Sequence, residues 1–234
     1  MDKLIASPTF GILLSLVAFE VSNLLFKKTK LAILNPLLVA IILIIVILSK
    51  LNINYDDYNQ GGQYISFFLY PATVALALPV YKKLTILKDN LKIILISNFI
   101  GQLIGIITIL FLSRLFGLSD QMIKSIVPKS ITTPLGMAVS VQLGGITSIT
   151  VAAIILTGII GATLSPFLVR IFKNDDKIAT GLAIGAASHA VGTAKAIEIG
   201  EIEGSMSGIS MVISGIIIVI FAPVLFSFYI MILY

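Results

Sequence analysis

The sequence predicts an all-α integral membrane protein with about six transmembrane helices, two broken or re-entrant segments and an inverted repeat. Composition is the first reason: 58% of residues are apolar, 12% are charged and the mean hydropathy is +1.09. An ordinary soluble domain has roughly 25% charged residues. A spanning helix needs about 20 residues, so the chain has room for about six to eight crossings and no separate soluble domain. We therefore expect one polytopic domain, 1–234.

The N-terminal spans are predicted within 9–112. The apolar run 9–26 is longer than the core of a signal peptide and no small-residue cleavage site follows it, so we expect an uncleaved first span. The run 31–49 forms the second span, and 50–62 is predicted as a polar loop. The third span, 64–81, carries two prolines that interrupt helical hydrogen bonding, so we expect it to be broken or kinked.

The fourth predicted span, 91–112, is uniformly apolar apart from isolated polar residues. Gly101 and Gly105 stand four residues apart within it. This small-xxx-small spacing suits close packing of helices in a membrane.

The C-terminal part repeats one order of segments. Residues 128–145 are weakly apolar and too short to span comfortably, and 146–172 is a full span. Residues 180–204 are again small and polar, and 205–234 are again apolar. A shift of 57 residues aligns 157–160 with 214–217 and 165–168 with 222–225. We therefore expect two repeat units, 128–172 and 180–234.

Positive charge predicts the orientation of these segments. Ten of the sixteen Lys and Arg fall in three loops, which the positive-inside rule places in the cytoplasm. Segment 128–145 then makes no net crossing, the two repeat units are inverted, and both termini lie outside. In the competing interpretation both broken segments cross, which gives eight crossings and a parallel repeat. The ten residues are Lys27, Lys28, Lys30, Lys82, Lys83, Lys88, Lys92, Arg170, Lys173 and Lys177.

The unusual chemistry of the chain is concentrated in the stretch 180–208. It contains the only histidine, His189, and three of the four glutamates. Ionisable groups are expensive inside a membrane, so this stretch is the first candidate for a site. A lysine near a chain break, with hydroxyls and free backbone amides beside it, is suited to holding an organic carboxylate. The candidate substrate-binding residues are Lys129, Thr132, Thr133, Ser188, His189, Thr193 and Lys195, and the candidate coupling or counter-ion residues are Glu198 and Glu201.

These residues also have purely structural interpretations. His189 could be a buried packing residue, and Lys195 could simply pair with Glu198 three positions later. Glu203 is interpreted as part of a solvated loop. Glycines at 200, 204 and 208 are more typical of a packing face than of a ligand cradle.

Several functional classes are disfavoured. Without cysteine there is no disulfide or thiolate metal site, and one histidine does not make a histidine cluster, so no metal or cofactor is expected. The net charge of +5 lies in short loops rather than on one stripe, which does not indicate nucleic-acid binding. Ser188 and His189 are adjacent and cannot face each other on a helix, so an intramembrane enzyme is not expected.

The chain resembles the LrgB/CidB family of bacterial membrane proteins over nearly its whole length. The resemblance is carried by five motifs: NPLL (35–38), LYPATVALA (69–77), PKSITTP (128–134), ASHAVGTAKA (187–196) and GE (200–201). It implies a multi-pass protein of the bacterial plasma membrane that is antiholin-like or holin-like and modulates murein hydrolase export and autolysis. It also implies a small LrgA/CidA-type membrane partner.

Two functions remain open at this stage. Plastid relatives move glycolate and glycerate, and some bacterial members are linked to pyruvate uptake, so the resemblance is compatible with a transporter of small carboxylates. The alternative is an oligomeric holin-like pore or regulatory subunit without a specific substrate site. In either case we expect a homo-oligomer in contact with membrane lipid and no nucleic-acid partner.

Overall fold

The protein is an all-α membrane protein. The structure, a computed structural model, describes residues 7–29, 34–75, 77–82, 84–172 and 175–233, and every regular element in these ranges is helical. Four of the described helices are long and apolar enough to cross a membrane: Pro8–Thr29, Leu91–Leu115, Thr147–Ile171 and Glu201–Met231. A shorter apolar helix is Pro36–Lys50. Four residues of the predicted topology, Lys30, Lys83, Lys173 and Tyr234, lie outside the described ranges.

The chain divides into two compact units, Met1–Ala75 and Leu76–Tyr234. The first contains helices α1 (Pro8–Thr29), α2 (Pro36–Lys50), α3 (Tyr55–Phe67) and α4 (Leu69–Ala75). Helix α2 begins at Pro36, within the predicted second span 31–49: Asn35 Oδ1 accepts a hydrogen bond of 2.9 Å from the Leu37 amide, and proline occupies the first helical position.

Helix α3 corrects the predicted loop 50–62. Asp56 and Asp57 lie in its first turn, where carboxylates complement the positive end of the helix dipole. The helix packs directly against α1: a side chain at Gly61 would collide with the Pro8 carbonyl oxygen, and Ser15 Oγ lies 2.8 Å from Tyr58 Oη. The segment was predicted as a loop because its residues are mostly polar, and the contact with α1 that stabilises the helix is not visible in the sequence. The predicted break in 64–81 is found at Phe68, since Pro71 has no N–H to bond the Phe67 carbonyl.

The second unit contains the predicted repeat region. Its elements are α5 (Ala77–Lys82), α6 (Leu84–Asp89), α7 (Leu91–Leu115), α8 (Asp120–Ile126), a 3₁₀ turn (Val127–Ser130), α9 (Thr133–Leu143), α10 (Thr147–Ile171), α11 (Lys177–Ile199) and α12 (Glu201–Leu233).

Residues 120–143 form a helical hairpin, here called hairpin 1. Ile131 and Thr132 are extended, which ends the inbound arm 120–130 and starts the outbound arm α9. The two ends of the hairpin lie together, because the Ile146 amide donates to Ser125 Oγ at 2.7 Å and Thr150 Oγ1 donates to the Ser125 carbonyl at 2.8 Å. Hairpin 1 therefore begins and ends at the same level of the molecule.

Helix α11 is also a hairpin, here called hairpin 2. The backbone of His189 is far from helical, with φ 47° and ψ −131°. A side chain at Gly192 would lie 3.0 Å from the Ile184 carbonyl oxygen, whereas residues eight apart in a straight helix are separated by about 12 Å. The chain therefore folds back at His189, from an inbound arm 177–188 to an outbound arm 190–199.

The two hairpins, each with the long helix that follows it, have corresponding elements. Hairpin 1 begins at Asp120 and hairpin 2 begins 57 positions later at Lys177. A side chain added at Gly136 would meet Ile154 Cδ1, and at the positions shifted by 57 Thr193 Oγ1 lies 4.0 Å from Met211 Sδ. Each long helix also has an internal proline at the corresponding position, Pro166 in α10 and Pro223 in α12. The 57-residue repeat and its inversion stay predictions, with these positions as the matching ones.

Each hairpin has its own apolar core against α7 and α12. Ile106, Ile123, Val139 and Ile218 belong to the core of hairpin 1. Ile94, Leu182, Met206 and Ile209 form the core of hairpin 2. The hairpins are therefore held by the same two long helices.

Candidate functional site

The tips of the two hairpins meet. The ring of His189, at the turn of hairpin 2, lies beside the backbone of Ser130, the last residue of the 3₁₀ turn in hairpin 1. The tip of hairpin 2 also packs on the middle of α10, where a side chain at Gly158 would lie 3.2 Å from Val191 Cβ. On the other side, a side chain at Gly215 of α12 would lie 3.0 Å from Leu135 of hairpin 1. Both tips therefore lie about halfway along the long helices.

His189 and Ser188 present polar atoms that are buried and unpaired. The two residues are 2% and 1% exposed, and His189 Nε2 and Ser188 Oγ have no hydrogen-bond partner within the described ranges. Leaving a buried polar atom unpaired costs about 1–3 kcal/mol. Two such atoms therefore occur at neighbouring residues of the hairpin tip, with Ser188 Oγ on the side of Gly161 in α10.

Lys129 supplies positive charge beside these atoms. It lies one residue before the contact with His189, and its ammonium group is close enough to act electrostatically on the His189 ring. Lys129 Nζ donates a 3.4 Å hydrogen bond to Ser130 Oγ, and among the described residues no carboxylate pairs with it. A half-buried lysine without a counter-ion favours the approach of an anion.

The start of α9 adds further donors at the tip of hairpin 1. Thr132 is the N-cap residue, and its side chain makes no capping hydrogen bond. The first amides of a helix have no partner within it, and here Thr133 and Leu135 contribute such amides while Pro134 has none. Helix N-termini carry a partial positive charge. The tip of hairpin 1 thus combines a lysine, two half-buried threonines and unpaired helix amides.

Thr193 is placed differently. It is fully buried in the outbound arm of hairpin 2, where its Oγ1 lies 2.9 Å from Ser207 Oγ. This hydrogen bond ties the hairpin to α12. Thr193 is therefore brought close to the tip region but already has a protein partner.

Lys195 and Glu198 form the ion pair that the structural interpretation anticipated. Lys195 Nζ lies 2.7 Å from Glu198 Oε2, and their side chains are 38% and 68% exposed. Lys195 is six residues beyond His189, which is about 9 Å along a helix. The structure thus joins Lys129 and His189 closely, while Lys195 lies further along the outbound arm with a carboxylate partner.

Glu201 and Glu203 belong to the first turn of α12 rather than to the broken segment. Glu201 is exposed, but Glu203 is only 8% exposed, so its assignment to a solvated loop is wrong. The Glu203 carboxylate lies over Gly200, where an added side chain would collide with it. A carboxylate at this position complements the positive end of the α12 dipole, which explains its burial.

A buried polar network beside hairpin 2 was not predicted. Asn98 and Gln102 of α7 are 2% and 3% exposed, and they hydrogen-bond with Ser210 and Ser214 of α12. The signal was present in the sequence as two amide side chains four residues apart in an apolar span, a spacing that places both on one helix face. Within the described ranges, no three His, Asp or Glu side chains are grouped as a metal site would require.

Comparison with known proteins identifies the family. Residues 15–228 match the LrgB-like family. The chain is 37% identical over 223 residues to the antiholin-like protein LrgB of Bacillus cereus (strain B4264), an alignment that covers 95% of this chain and 97% of that protein. The antiholin-like protein LrgB of Bacillus anthracis (strain A0248) matches with the same identity and coverage. No solved structure matches the chain. With the family match over most of its length and relatives of this similarity, the chain belongs to the LrgB-like family.

Proposed function

We propose that this protein is a multi-pass transporter of small organic carboxylates in the bacterial plasma membrane, with its binding site at the junction of the two hairpin tips. The observation that carries the proposal is the pair of buried, unpaired atoms His189 Nε2 and Ser188 Oγ close to the uncompensated Lys129. A carboxylate of pyruvate or glycolate size offers an anion for the lysine and oxygen atoms for the neighbouring polar groups.

The donors at the start of α9 fit the same ligand. A carboxylate accepts hydrogen bonds only, and it is matched by the Thr132 and Thr133 hydroxyls, the free amides of the first turn and the Lys129 ammonium. The positive end of the helix dipole favours the bound anion further. We assign Lys129, Thr132 and Thr133 to one side of the substrate, and Ser188 and His189 to the other.

We infer that the two hairpins open to opposite sides of the membrane. Hairpin 1 returns to its starting level at Ser125 and Ile146, so it makes no net crossing. Helix α10 has 25 residues, about 37 Å, and then leads to hairpin 2 at Lys177. The two units 57 residues apart would therefore be inverted copies. With six spans and the Lys-rich and Arg-rich loops in the cytoplasm, both termini lie outside.

This arrangement provides a route for transport. In transporters built from inverted repeats, broken helices meet near the bilayer midplane, and each side of the membrane is reached by moving one part against the other. Here hairpin 1 separates the site from the outside and hairpin 2 separates it from the cytoplasm. The irregular backbone at 131–132 and at His189 lines this site, which is where such backbone is tolerated at membrane depth.

The remaining candidate residues have secondary roles in this proposal. Thr193 fixes the outbound arm to α12 through Ser207. Lys195 is a second anion contact, available when its pair with Glu198 opens, and Glu198 and Glu201 are counter-ion or coupling groups on the cytoplasmic side. We further propose that the protein works with a small LrgA/CidA-type partner and as a homo-oligomer, and that its transport influences murein hydrolase export and autolysis.

One observation favours the alternative, an oligomeric holin-like pore or regulatory subunit. Gly101 and Gly105 of α7 were predicted to form a packing face, yet no atom of the described residues lies within 4 Å of where their side chains would be. This small-residue face is therefore open to a helix of another subunit. A pore assembled in this way would need no stereospecific site.

Uptake into proteoliposomes separates the two functions. Labelled pyruvate, lactate and glycolate are offered to the reconstituted protein, with a large dye as the control for a pore. A transporter takes up at least one carboxylate with saturation and excludes the dye. Ser188→Ala should weaken saturable uptake, while Ser148→Ala, an exposed serine at the start of α10, should leave it unchanged. Unsaturable uptake of the carboxylates together with the dye would instead establish the pore.

A further inference from the structure

Gln102 of α7 makes two hydrogen bonds that join three elements. Its Nε2 donates to the Ala186 carbonyl of hairpin 2 at 3.1 Å and to Ser214 Oγ of α12 at 2.9 Å. One turn earlier, Asn98 Oδ1 accepts from Ser210 Oγ at 2.6 Å and from Ser214 Oγ at 3.0 Å. All four side chains are buried. The network therefore links α7, which lies outside both repeat units, to the hairpin.

The Ala186 carbonyl needs such a donor. Helical geometry stops at His189, so the carbonyl groups of the last turn of the inbound arm lack the N–H groups of a continuing helix. Ala186 belongs to this last turn. An unpaired carbonyl in the apolar interior would cost about 1–3 kcal/mol. Gln102 supplies the hydrogen bond from a different helix, as a capping residue does within one helix.

The inbound arm packs closely on α12, where a side chain at Gly181 or Gly185 would collide with the backbone of that helix, but less closely on α7. A groove of about 340 Å³ runs between α7 and the inbound arm within this unit, lined among others by Gly101, Ala183 and Ala186. Small residues on both sides leave the arm room to shift toward α7. On the α7 side, the directional hydrogen bond from Gln102 holds the arm next to its tip.

We propose that Gln102 is a positioning residue for substrate binding: by holding the Ala186 carbonyl it keeps Ser188 and His189, two and three residues later, facing the carboxylate site. This inference rests on the proposed function, since it assigns Gln102 a role in the affinity of that site. Gln102 itself does not touch the substrate.

The first test measures the hairpin without using transport. The chain has no cysteine, so two introduced cysteines at the exposed positions Ile104 of α7 and Ala194 of the outbound arm take spin labels selectively. We expect one narrow distance distribution in the otherwise wild-type protein and a broadened or shifted distribution after Gln102→Leu. Gln142→Leu, the same change at an exposed position of hairpin 1, should leave it narrow. An unchanged distribution in Gln102→Leu would overturn the proposal.

The second test measures affinity per folded protein. Gln102→Leu should raise the apparent KM for the transported carboxylate about tenfold, the effect of losing roughly one buried hydrogen bond, with little change in the maximal rate. Its effect should be non-additive with Ser188→Ala, because both changes act on the same tip. A wild-type KM in Gln102→Leu, or strict additivity, would contradict a positioning role.

The tests of Gln102 also cover a variant that does not fold and a wild-type protein that carries no carboxylate. If Gln102→Leu does not fold, Gln102→Met, which has similar length and no donor, replaces it in both tests. If the wild-type protein carries no carboxylate, the proposed function fails, and the spin-label distances still decide whether Gln102 positions hairpin 2.

Discussion

The ring of His189 reaches from the turn of hairpin 2 to the backbone of Ser130 in hairpin 1. This contact joins the two broken segments at one point and is made by a residue with φ 47°, in the left-handed region that favours glycine. A histidine at this position costs roughly 1–3 kcal/mol of backbone strain. Because glycine would adopt this backbone conformation at lower cost, the strain indicates that the side chain of His189 has a role at this position.

Replacing His189 separates strain from chemistry. His189→Gly should remove the backbone strain, and His189→Ala should retain it, because alanine also disfavours positive φ. We therefore expect the glycine variant to be more stable than the alanine variant by about 1 kcal/mol, measured by thermal unfolding in detergent. Both variants should lose carboxylate uptake by tenfold or more, since neither supplies Nε2. Uptake restored in His189→Gly would mean that only the turn matters and would remove His189 from the site.

Gly161 of α10 offers a change that acts on Ser188 from outside the hairpin. A methyl group at Gly161 would collide with Ser188 Oγ, so the serine hydroxyl must rotate. One rotamer change costs about 1 kcal/mol or less, so Gly161→Ala should fold. We expect uptake to fall severalfold because Ser188 then points away from its present direction. Ser148→Ala, at an exposed position of the same helix, is the control. Equal uptake by the two variants would contradict a role for the Ser188 hydroxyl.

Much of this site was predictable from local sequence. Prolines and runs of small residues predicted two broken segments, and His189 was predicted as a site residue in the second. These features are local, since a proline or a run of small polar residues limits helix formation whatever surrounds it. The inverted 57-residue repeat stays a prediction. Lys129 and His189 were both predicted as site residues.

Features that depend on tertiary contact were not predictable. Gly101 and Gly105 have packing spacing, yet α7 packs through the face of Asn98 and Gln102 instead. Glu203 has the sequence context of a solvated loop, and only the folded chain places it over Gly200. A spacing predicts which residues share a face of a helix. It does not predict which face another helix will cover.

The membrane topology has a direct labelling test. Hairpin 1 begins and ends at one level, so cysteines at Asp120 and Gln142 should react with a membrane-impermeant maleimide from the same side, the outside. Cysteines at Lys177 and Ile199, the two ends of hairpin 2, should react only from the cytoplasm. Asp57→Cys serves as the external reference. Labelling of positions 120 and 142 from opposite sides would replace the inverted repeat with the eight-crossing arrangement.

The pair formed by Lys195 and Glu198 decides whether the outbound arm of hairpin 2 also contacts substrate. If Lys195 is a second anion contact, a substrate carboxylate must compete with Glu198 for its ammonium group, which now lies 2.7 Å from Glu198 Oε2. Lys195→Met keeps the length and apolar stem of the side chain, and it should lower carboxylate uptake per folded protein with little effect on folding. Glu198→Gln should have the opposite effect and lower the apparent KM, because it releases the lysine. Lys88→Met, at an exposed lysine of α6, is the control for loss of one surface charge.

An exposed ion pair contributes only about 0–1 kcal/mol to stability, so neither Lys195→Met nor Glu198→Gln should unfold the protein. If uptake by Lys195→Met matches that of Lys88→Met and Glu198→Gln leaves KM unchanged, the pair is structural and the anion site is confined to Lys129 and the hairpin tips.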